Sequence, residues 1–236
     1  MFDFTGRYAV VTGARRGIGA AIAKRFYDDG CSGVAIVARN GDIPWVKEVD
    51  PNGERIFIFE ADTADKEAIA DAFAKIYEKF GRVDFLVNNA GIIKDGMFHK
   101  MSDEAWYDVI DVDLNGVYNC TRQVINPMRD QEFGRIINMS SVSAYGNLGQ
   151  TNYSAAKAGL VAFTKALAKE SGKKGITVNA ILPMAVETDM TAGIGGDGPK
   201  EKMGQPEDLA SLVAYLCTDE AWFVSAASID FNGGRR

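Results

Sequence analysis

Short apolar runs alternate with amphipathic segments along almost the whole chain, and this alternation limits the possible folds more than any other feature of the sequence. The runs are typical of buried strands: YAVVT at 8–12, GVAIVA at 33–38, RIFIFE at 55–60, FLVNN at 85–89, RIINM at 135–139, TVNAIL at 177–182 and SIDF at 228–231. Segments between them carry apolar residues at helical spacing, as at Ile69, Phe73, Ile76 and Phe80. This pattern predicts an α/β fold with one doubly wound parallel sheet, helices on both faces and a ligand site at the carboxyl ends of the strands. The 236 residues fit a single domain, 1–236.

Two segments interrupt the alternation. Residues 40–54 contain two prolines, so the helix expected after the second strand should be short or irregular. Residues 191–200, TAGIGGDGPK, are too rich in glycine for a stable helix and predict a mobile loop. We therefore expect only a minimal lid over the ligand site, between Thr188 and Gly204. Such a lid leaves the site open, which favours a bulky or tethered substrate. Pro206, followed by two acidic residues, predicts the start of the next helix.

The composition argues against several classes of protein. A net charge of -6 and a pI of about 5.0 disfavour nucleic acid as a main partner, because phosphate backbones attract clustered Lys and Arg. The three cysteines show no CxxC spacing and indicate reduced thiols. With His99 as the single histidine, we expect no zinc site and assign no metal ligand. We find neither a signal sequence nor an apolar run of about 18 residues, so we expect a cytoplasmic protein with no membrane partner.

The first predicted strand leads into TGARRGIG at 12–19, which places Gly13, Gly17 and Gly19 at a turn from strand to helix. Such a turn directs backbone N–H groups and the positive end of a helix at a pyrophosphate. The alternative is a tight turn with no ligand. The position at the start of a βαβ unit favours a dinucleotide cofactor.

The end of the second strand indicates which dinucleotide is bound. An acidic side chain at this point would accept from a ribose 2'-hydroxyl, whereas an arginine would bind a 2'-phosphate. The chain has Ala38 followed by Arg39, and Arg16 lies inside the glycine turn. We therefore expect NADP(H), with NAD(H) less favoured; the alternative is that both arginines are solvated surface residues.

Tyr153 and Lys157 lie four residues apart in TNYSAAKAGL, so a helix places both on one face. Together with TGARRGIG, NNAG at 88–91 and Ser140, this pair resembles the short-chain dehydrogenase/reductase family across essentially the whole chain. GNLGQTNYSAAKAGL at 146–160 is similar to the 3-oxoacyl-(acyl-carrier-protein) reductases and acetoacetyl-CoA reductases within it.

The resemblance implies a seven-stranded Rossmann-type sheet and a site that reduces a ketone. It implies Ser140, Tyr153 and Lys157 as catalytic residues, together with Asp113 at the position of a fourth one, and Asn88 as part of the cleft wall. It also implies a cofactor bound by Gly13, Arg15, Arg16, Gly17, Ile18, Gly19, Arg39, Asp62, Thr63, Asn89, Ala90, Gly91, Tyr153, Lys157, Pro183, Val186 and Thr188. Free tyrosine, with a pKa of about 10, transfers protons poorly near pH 7, so we expect Lys157 and the oxidised nicotinamide to lower the Tyr153 pKa. Ser140 would hydrogen-bond the substrate oxygen.

The chain departs from the family pattern at three places. Asp113 stands where the family has an asparagine, and Asn115 would point elsewhere on the helix. Asp113 would either hold a water beside Lys157 or pair with its ammonium. Met184 follows Pro183 where a glycine is usual, and Ser225-Ala226 replaces a common threonine-glycine.

Several functions and partners remain open at this point. We expect a ketoreductase acting on a 3-oxoacyl thioester, with steroid, cyclic alcohol and quinone ketones as other substrates. A cofactor-binding regulatory protein and a hydrolase using Ser140 with His99 are the alternatives from other classes. By resemblance we expect a homotetramer that buries helices at 102–128 and 151–171. Arg129, Lys173 and Lys174 would receive an acidic acyl carrier protein.

Overall fold

The computed structural model describes residues 1–188 and 203–234. Seven strands among these residues form one parallel sheet in the order β3-β2-β1-β4-β5-β6-β7. They are β1 Tyr8–Thr12, β2 Gly33–Ala38, β3 Ile56–Glu60, β4 Phe85–Asn88, β5 Gly134–Met139, β6 Ile176–Pro183 and β7 Ser228–Phe231. The prediction of a doubly wound parallel sheet is confirmed, and each strand lies within a residue or two of its predicted position.

The helices connect successive strands: α1 Gly17–Asp28, α2 Pro44–Val49, α3 Lys66–Phe80, α4 Asp103–Ile110, α5 Gly116–Asp130, α6 Thr151–Ser171 and α7 Pro206–Cys217. Helix α2 has six residues, which confirms the expected short helix in the proline-containing segment. Helix α7 begins at Pro206, as predicted, and the Gln205 N–H donates to the Asp208 carboxylate at 3.0 Å.

The long helix predicted over 102–128 is confirmed, since the backbone is helical from Asp103 to Asp130, but it contains a π-helical turn that was not predicted. Helices α4 and α5 are separated by a π-helical turn, Asp111–Asn115. A π-helical turn contains one residue more per turn than an α-helix, so it changes the direction of the side chains after it. The side chain affected at the centre of the turn is Asp113, which is fully buried.

Two apolar layers cover the two faces of the sheet. On one face Val11 and Phe85 pack with Phe26 of α1 and with Leu209 and Val213 of α7. On the other face the neighbouring strand residues pack with α3 and α5; this layer includes Val10, Leu86, Phe73, Ile76 and Val124. Burial on both faces explains why the strands are continuously apolar in sequence.

The strand order reverses between β1 and β4, because β2 and β3 lie on one side of β1 and the later strands lie on the other. Connections diverge at such a point and leave a crevice beyond the carboxyl ends of the strands. Within residues 1–188 and 203–234, no helix has the length and apolar character to cross a membrane. The loop predicted at 191–200 lies outside the described residues, as does nearly all of the minimal lid; only Thr188, Met203 and Gly204 of that segment are described.

Candidate active site

A cleft of about 660 Å³ lies at the carboxyl ends of the strands, where the topology predicts it. Its wall contains every predicted cofactor-binding residue: Gly13, Arg15, Arg16, Gly17, Ile18, Gly19, Arg39, Asp62, Thr63, Asn89, Ala90, Gly91, Tyr153, Lys157, Pro183, Val186 and Thr188. Ser140 also lines the cleft. Residues from six strand ends and from α6 are therefore brought together in one site.

The turn between β1 and α1 requires glycine for two reasons. Gly13 and Gly17 have φ values of 68° and 57°, a region in which side chains are strained. A Cβ on Gly13 would also lie 2.8 Å from the Ala90 Cα, closer than van der Waals contact permits. The backbone at Gly13 can approach β4 because this position has no side chain.

Thr12 and Asn89 fix this turn against the end of β4. The Thr12 hydroxyl accepts from the backbone N–H groups of Asn89 and Ala90, both at 3.0 Å. The Asn89 amide donates in return to the carbonyls of Thr12 and Gly13, at 3.0 and 3.2 Å. Four hydrogen bonds thus hold the glycine turn and the NNAG segment in one rigid arrangement.

This arrangement fits a dinucleotide. The first turn of α1 consists of the uncharged residues GIGA, and Gly17, Ile18 and Gly19 line the cleft. The unpaired N–H groups and positive end of a helix attract an anion, so this end suits a pyrophosphate. Arg15 and Arg16, both exposed in the cleft wall, add positive charge. Ala38, Arg39 and the end of β3 extend the cleft away from the catalytic side chains, where an adenosine would lie.

Lys157 is buried, with 3% of its surface exposed. Its Nζ donates to the Met139 carbonyl at 2.9 Å and forms an ion pair with Asp113 Oδ2 at 3.0 Å. The same Nζ lies 5.3 Å from the centre of the Tyr153 ring. The Ser140 hydroxyl donates to the Lys157 carbonyl at 2.8 Å, so Ser140 and Lys157 are linked directly. The one-face spacing predicted for Tyr153 and Lys157 is confirmed on α6.

Burial raises the pKa of Tyr153 above its usual value; the Lys157 ammonium opposes this shift and the Asp113 carboxylate adds to it. Burial also disfavours the Lys157 ammonium, but the Asp113 carboxylate, with a further contribution from the ionisable Tyr153, outweighs burial, so the pKa of Lys157 is raised. The expectation of a lowered Tyr153 pKa does not hold for the protein alone, because burial and Asp113 together exceed the effect of Lys157. Both groups are therefore protonated near neutral pH.

Residues 7–197 match the model of the short chain dehydrogenase family. The chain belongs to this family. It is 43% identical to an acetoacetyl-CoA reductase of Shinella zoogloeoides, over 97% of this chain and 98% of that protein. It is 42% identical to an acetoacetyl-CoA reductase of Cupriavidus necator, over 98% of both chains, and 39% identical to a 3-oxoacyl-[acyl-carrier-protein] reductase of Escherichia coli, over 98% of both. The resemblance inferred from the motifs is confirmed, and the protein is an oxidoreductase of a family that uses nicotinamide cofactors.

Some cleft residues of this family member were not among the predicted ones: Val37, Asn40, Ala61, Ile92, Val112, Met139 and Ser141. Most lie next to a predicted residue at the end of a strand. Their position beside a strand end was therefore the sequence feature that could have identified them as cleft residues. Met184, identified only as a departure from the family pattern, also lines the cleft.

Asn88, predicted to line the cleft, and Asp113, predicted as catalytic, both lie outside the cleft wall. The Asn88 amide is buried and donates to Thr121 Oγ1 at 3.1 Å and to Asn138 Oδ1 at 2.9 Å. The Asn88 side chain thus links β4 to β5 and to α5 by hydrogen bonds. It faces these elements and is not part of the cleft wall. Asn115 is exposed and bonds Asp111, which confirms that it does not replace the usual asparagine.

His99 is exposed in a short helical turn, Phe98–Lys100, outside the cleft wall. The Ser140 hydroxyl bonds a backbone carbonyl, so the structure offers no support for a Ser140–His99 hydrolase. Among the residues that the structure describes, no group of three or more His, Cys, Asp or Glu side chains is arranged to hold a metal ion.

Proposed function

We propose that this protein is an NADPH-dependent ketoreductase that converts a 3-oxoacyl thioester, linked to coenzyme A or to an acyl carrier protein, into the 3-hydroxyacyl form. The observation that supports this most directly is the convergence of Ser140, Tyr153 and Lys157 in the same cleft as the glycine turn. Bound NADPH would supply a hydride to the carbonyl carbon.

The side chains of this cleft would bind the substrate carbonyl oxygen and supply its proton. The Ser140 hydroxyl, by rotating away from the Lys157 carbonyl, would donate to the substrate carbonyl oxygen and to the negative charge that develops on it. Tyr153 would transfer its phenolic proton to that oxygen, so its O–H bond breaks as the O–H bond of the alcohol forms. The tyrosinate is stabilised by the Lys157 ammonium until it regains a proton from solvent.

The preference for NADPH is supported by the end of β2. The Ala38 side chain is a methyl group with no atom that could accept from a ribose hydroxyl, and Arg39 is exposed in the cleft wall beside it. Arg16 lies in the same wall, and an arginine guanidinium binds a phosphate through paired donors. Glu60 accepts from the Gly41 N–H at 3.0 Å and so holds the loop that carries Arg39.

The thioester substrate is supported by the names of the relatives and by exposed apolar side chains, one of which lies in the cleft wall. Met184 lines the cleft and is 41% exposed, and Tyr145 and Leu148, on the segment before α6, are 69% and 84% exposed. The Tyr145 hydroxyl donates to Asp230 at 2.8 Å, so this aromatic side chain bridges to β7. Met184 thus offers an apolar contact within the cleft that suits an acyl chain better than a small polar ketone.

Docking of an acyl carrier protein at Arg129, Lys173 and Lys174 is less well supported. These residues precede β5 and β6, so they lie at the amino edge of the sheet, opposite the cleft. Strand β6 has eight residues, and at about 3.3 Å per residue the two edges are roughly 26 Å apart. Lys174 is also paired with Glu132 at 3.0 Å.

We also propose a homotetramer. Helices α4 and α5 present Tyr107 and Tyr118 to solvent, and large exposed aromatic residues on adjacent helices favour contact with another copy. Light scattering that gives the mass of a single chain would contradict this.

The function is tested by following NADPH absorbance with matched substrates. We expect a higher kcat/KM for acetoacetyl-CoA and for a carrier-linked 3-oxoacyl group than for a small free ketone. A panel of steroid, cyclic and quinone ketones examines the other substrates. If none of these substrates causes NADPH to be oxidised, a cofactor-binding protein without turnover explains the structure better. A higher kcat/KM for the small ketone would contradict the thioester assignment.

A further inference from the structure

One buried charged residue at the site has no role in the proposed reduction. Asp113 is 0% exposed and lies at the centre of the π-helical turn, behind the cleft wall. Its Oδ1 accepts from the Ile92 N–H at 2.8 Å, and its Oδ2 lies 3.0 Å from Lys157 Nζ. Two donors thus converge on one side chain. A carboxylate offers an acceptor oxygen to each, whereas an asparagine would turn its NH₂ group towards one of them.

We propose that Asp113 is a positioning residue whose ion pair with Lys157 holds Tyr153 in the protonated form that ketone reduction requires. This inference rests on the proposed function. It concerns whether the site catalyses ketone reduction or alcohol oxidation more readily. The effect of Asp113 on this balance acts through Lys157.

The space around the ion pair supports this assignment. A Cβ at Gly91 would lie 2.9 Å from Asp113 Oδ2 and 3.4 Å from Lys157 Nζ, so the pair fits because position 91 has no side chain. Lys157 Nζ is held from a second direction by the Met139 carbonyl at 2.9 Å. The ammonium is therefore fixed by two partners on different elements, β5 and the π-helical turn.

The charges around Tyr153 explain the effect of the pair. Among the described residues, those whose charge acts on the phenol are Lys157 on α6, Asp113 on the π-helical turn and Asp95 on the segment after β4. A lone ammonium 5.3 Å from the ring would favour tyrosinate. Asp113 neutralises much of that charge, and Asp95 acts in the same direction as Asp113. A hydrogen bond between Ser141 and the phenol lowers the pKa, as Lys157 does, but burial, the largest cause, and the two carboxylates outweigh both, so the pKa of Tyr153 is raised.

A neutral phenol is the form that donates a proton to the carbonyl oxygen during reduction. Oxidation of an alcohol needs tyrosinate as the base, which is scarce near neutral pH when the phenol holds its proton. The ion pair therefore favours reduction over oxidation and extends the pH range of reduction to more alkaline values.

The test compares Asp113→Asn with the matched control Asp111→Asn. The control removes a carboxylate from the same turn, one whose Oδ1 accepts from the Asn115 amide at 2.8 Å. The first readout needs no cofactor. The tyrosinate absorption of each protein is titrated against pH, and the same titration with Tyr153→Phe added isolates the Tyr153 signal. We expect Tyr153 to ionise at lower pH in Asp113→Asn than in the unaltered protein, and at an unchanged pH in Asp111→Asn.

The second readout is the pH profile of NADPH-dependent reduction. Its alkaline decline should move to lower pH in Asp113→Asn and stay in place in Asp111→Asn. Ionisation of Tyr153 at the same or a higher pH in Asp113→Asn would overturn the inference. If circular dichroism shows that Asp113→Asn does not fold, the smaller Asp113→Ser, which also lacks the carboxylate, is titrated in its place with the same expected result. Lack of ketone reduction in the unaltered protein would refute the proposed function and leave the titration as a test of the ion pair.

Discussion

Replacing Arg39 by aspartate tests the assignment of the cofactor most directly. The guanidinium is exposed in the cleft wall next to Ala38, so its hydrogen bonds to a 2'-phosphate would be partly screened by solvent. We therefore take the lower end of the range for charged hydrogen bonds, about 1.5 kcal/mol. An aspartate about 4 Å from the phosphate adds a repulsion of about 1 kcal/mol in water. The sum of about 2.5 kcal/mol corresponds to a roughly 70-fold weaker binding of NADPH.

NADH lacks the 2'-phosphate, so its affinity should stay the same or increase, because the introduced carboxylate would accept from the ribose hydroxyl. Calorimetric titration of both cofactors measures this difference. Arg122→Asp is the matched control: it makes the same change in net charge at an exposed position of α5 outside the cleft wall, and should leave both affinities nearly unchanged. The reasoning is refuted if the unaltered protein binds NADH more tightly than NADPH, or if Arg39→Asp and Arg122→Asp weaken NADPH binding equally.

The remaining predictions concern catalysis and backbone strain. Tyr153→Phe should lower the turnover of ketone by at least about 100-fold with nearly unchanged cofactor affinity, because it removes the proton donor alone; steady-state kinetics with undiminished turnover would contradict this. Ala226 has a φ of 62°, which costs a residue with a side chain about 1–2 kcal/mol. Since glycine gains about 0.4–1 kcal/mol of entropy on unfolding, Ala226→Gly should raise the free energy of unfolding by about 0.5–1 kcal/mol. Ala227→Gly, at a neighbouring position without a positive φ, should lower it in the same denaturation assay.

The glycine turn and the catalytic pair could be predicted because their geometry is local. TGARRGIG forms a strand-to-helix turn from residues that are neighbours in sequence, and Tyr153 and Lys157 share a face of one helix. The contacts of Asn88 could not be predicted in the same way. Its direction depends on Thr121 and Asn138, which are 33 and 50 residues away in sequence. A motif indicates that a residue belongs near a site, and the register of neighbouring strands decides on which side of the sheet its side chain lies.

The π-helical turn inside the helix over 102–128 could not be predicted from the sequence either. Helical periodicity extends across this segment, but the π-helical turn at Asp111–Asn115 is visible only in the fold. It directs Asp113 at the Ile92 N–H and the Lys157 ammonium. The sequence left two possibilities for Asp113, a water beside Lys157 or an ion pair with it, and the fold shows the ion pair. Neither partner is close to Asp113 in sequence, so no spacing rule predicts their contact.

The sequence by itself determined the α/β class, the positions of the strands, the glycine turn and the residues that carry the family resemblance, because each depends on periodicity or on a short motif. The tertiary structure decided which of these residues share a cleft and what charge surrounds them. The proton affinity of Tyr153 is the clearest case: the sequence predicts an ammonium nearby, which lowers the pKa, whereas the fold adds burial and the Asp113 carboxylate, which raise it. Burial and long-range charge pairs arise only when distant segments pack together, and at this site they outweigh the effect of the neighbouring lysine.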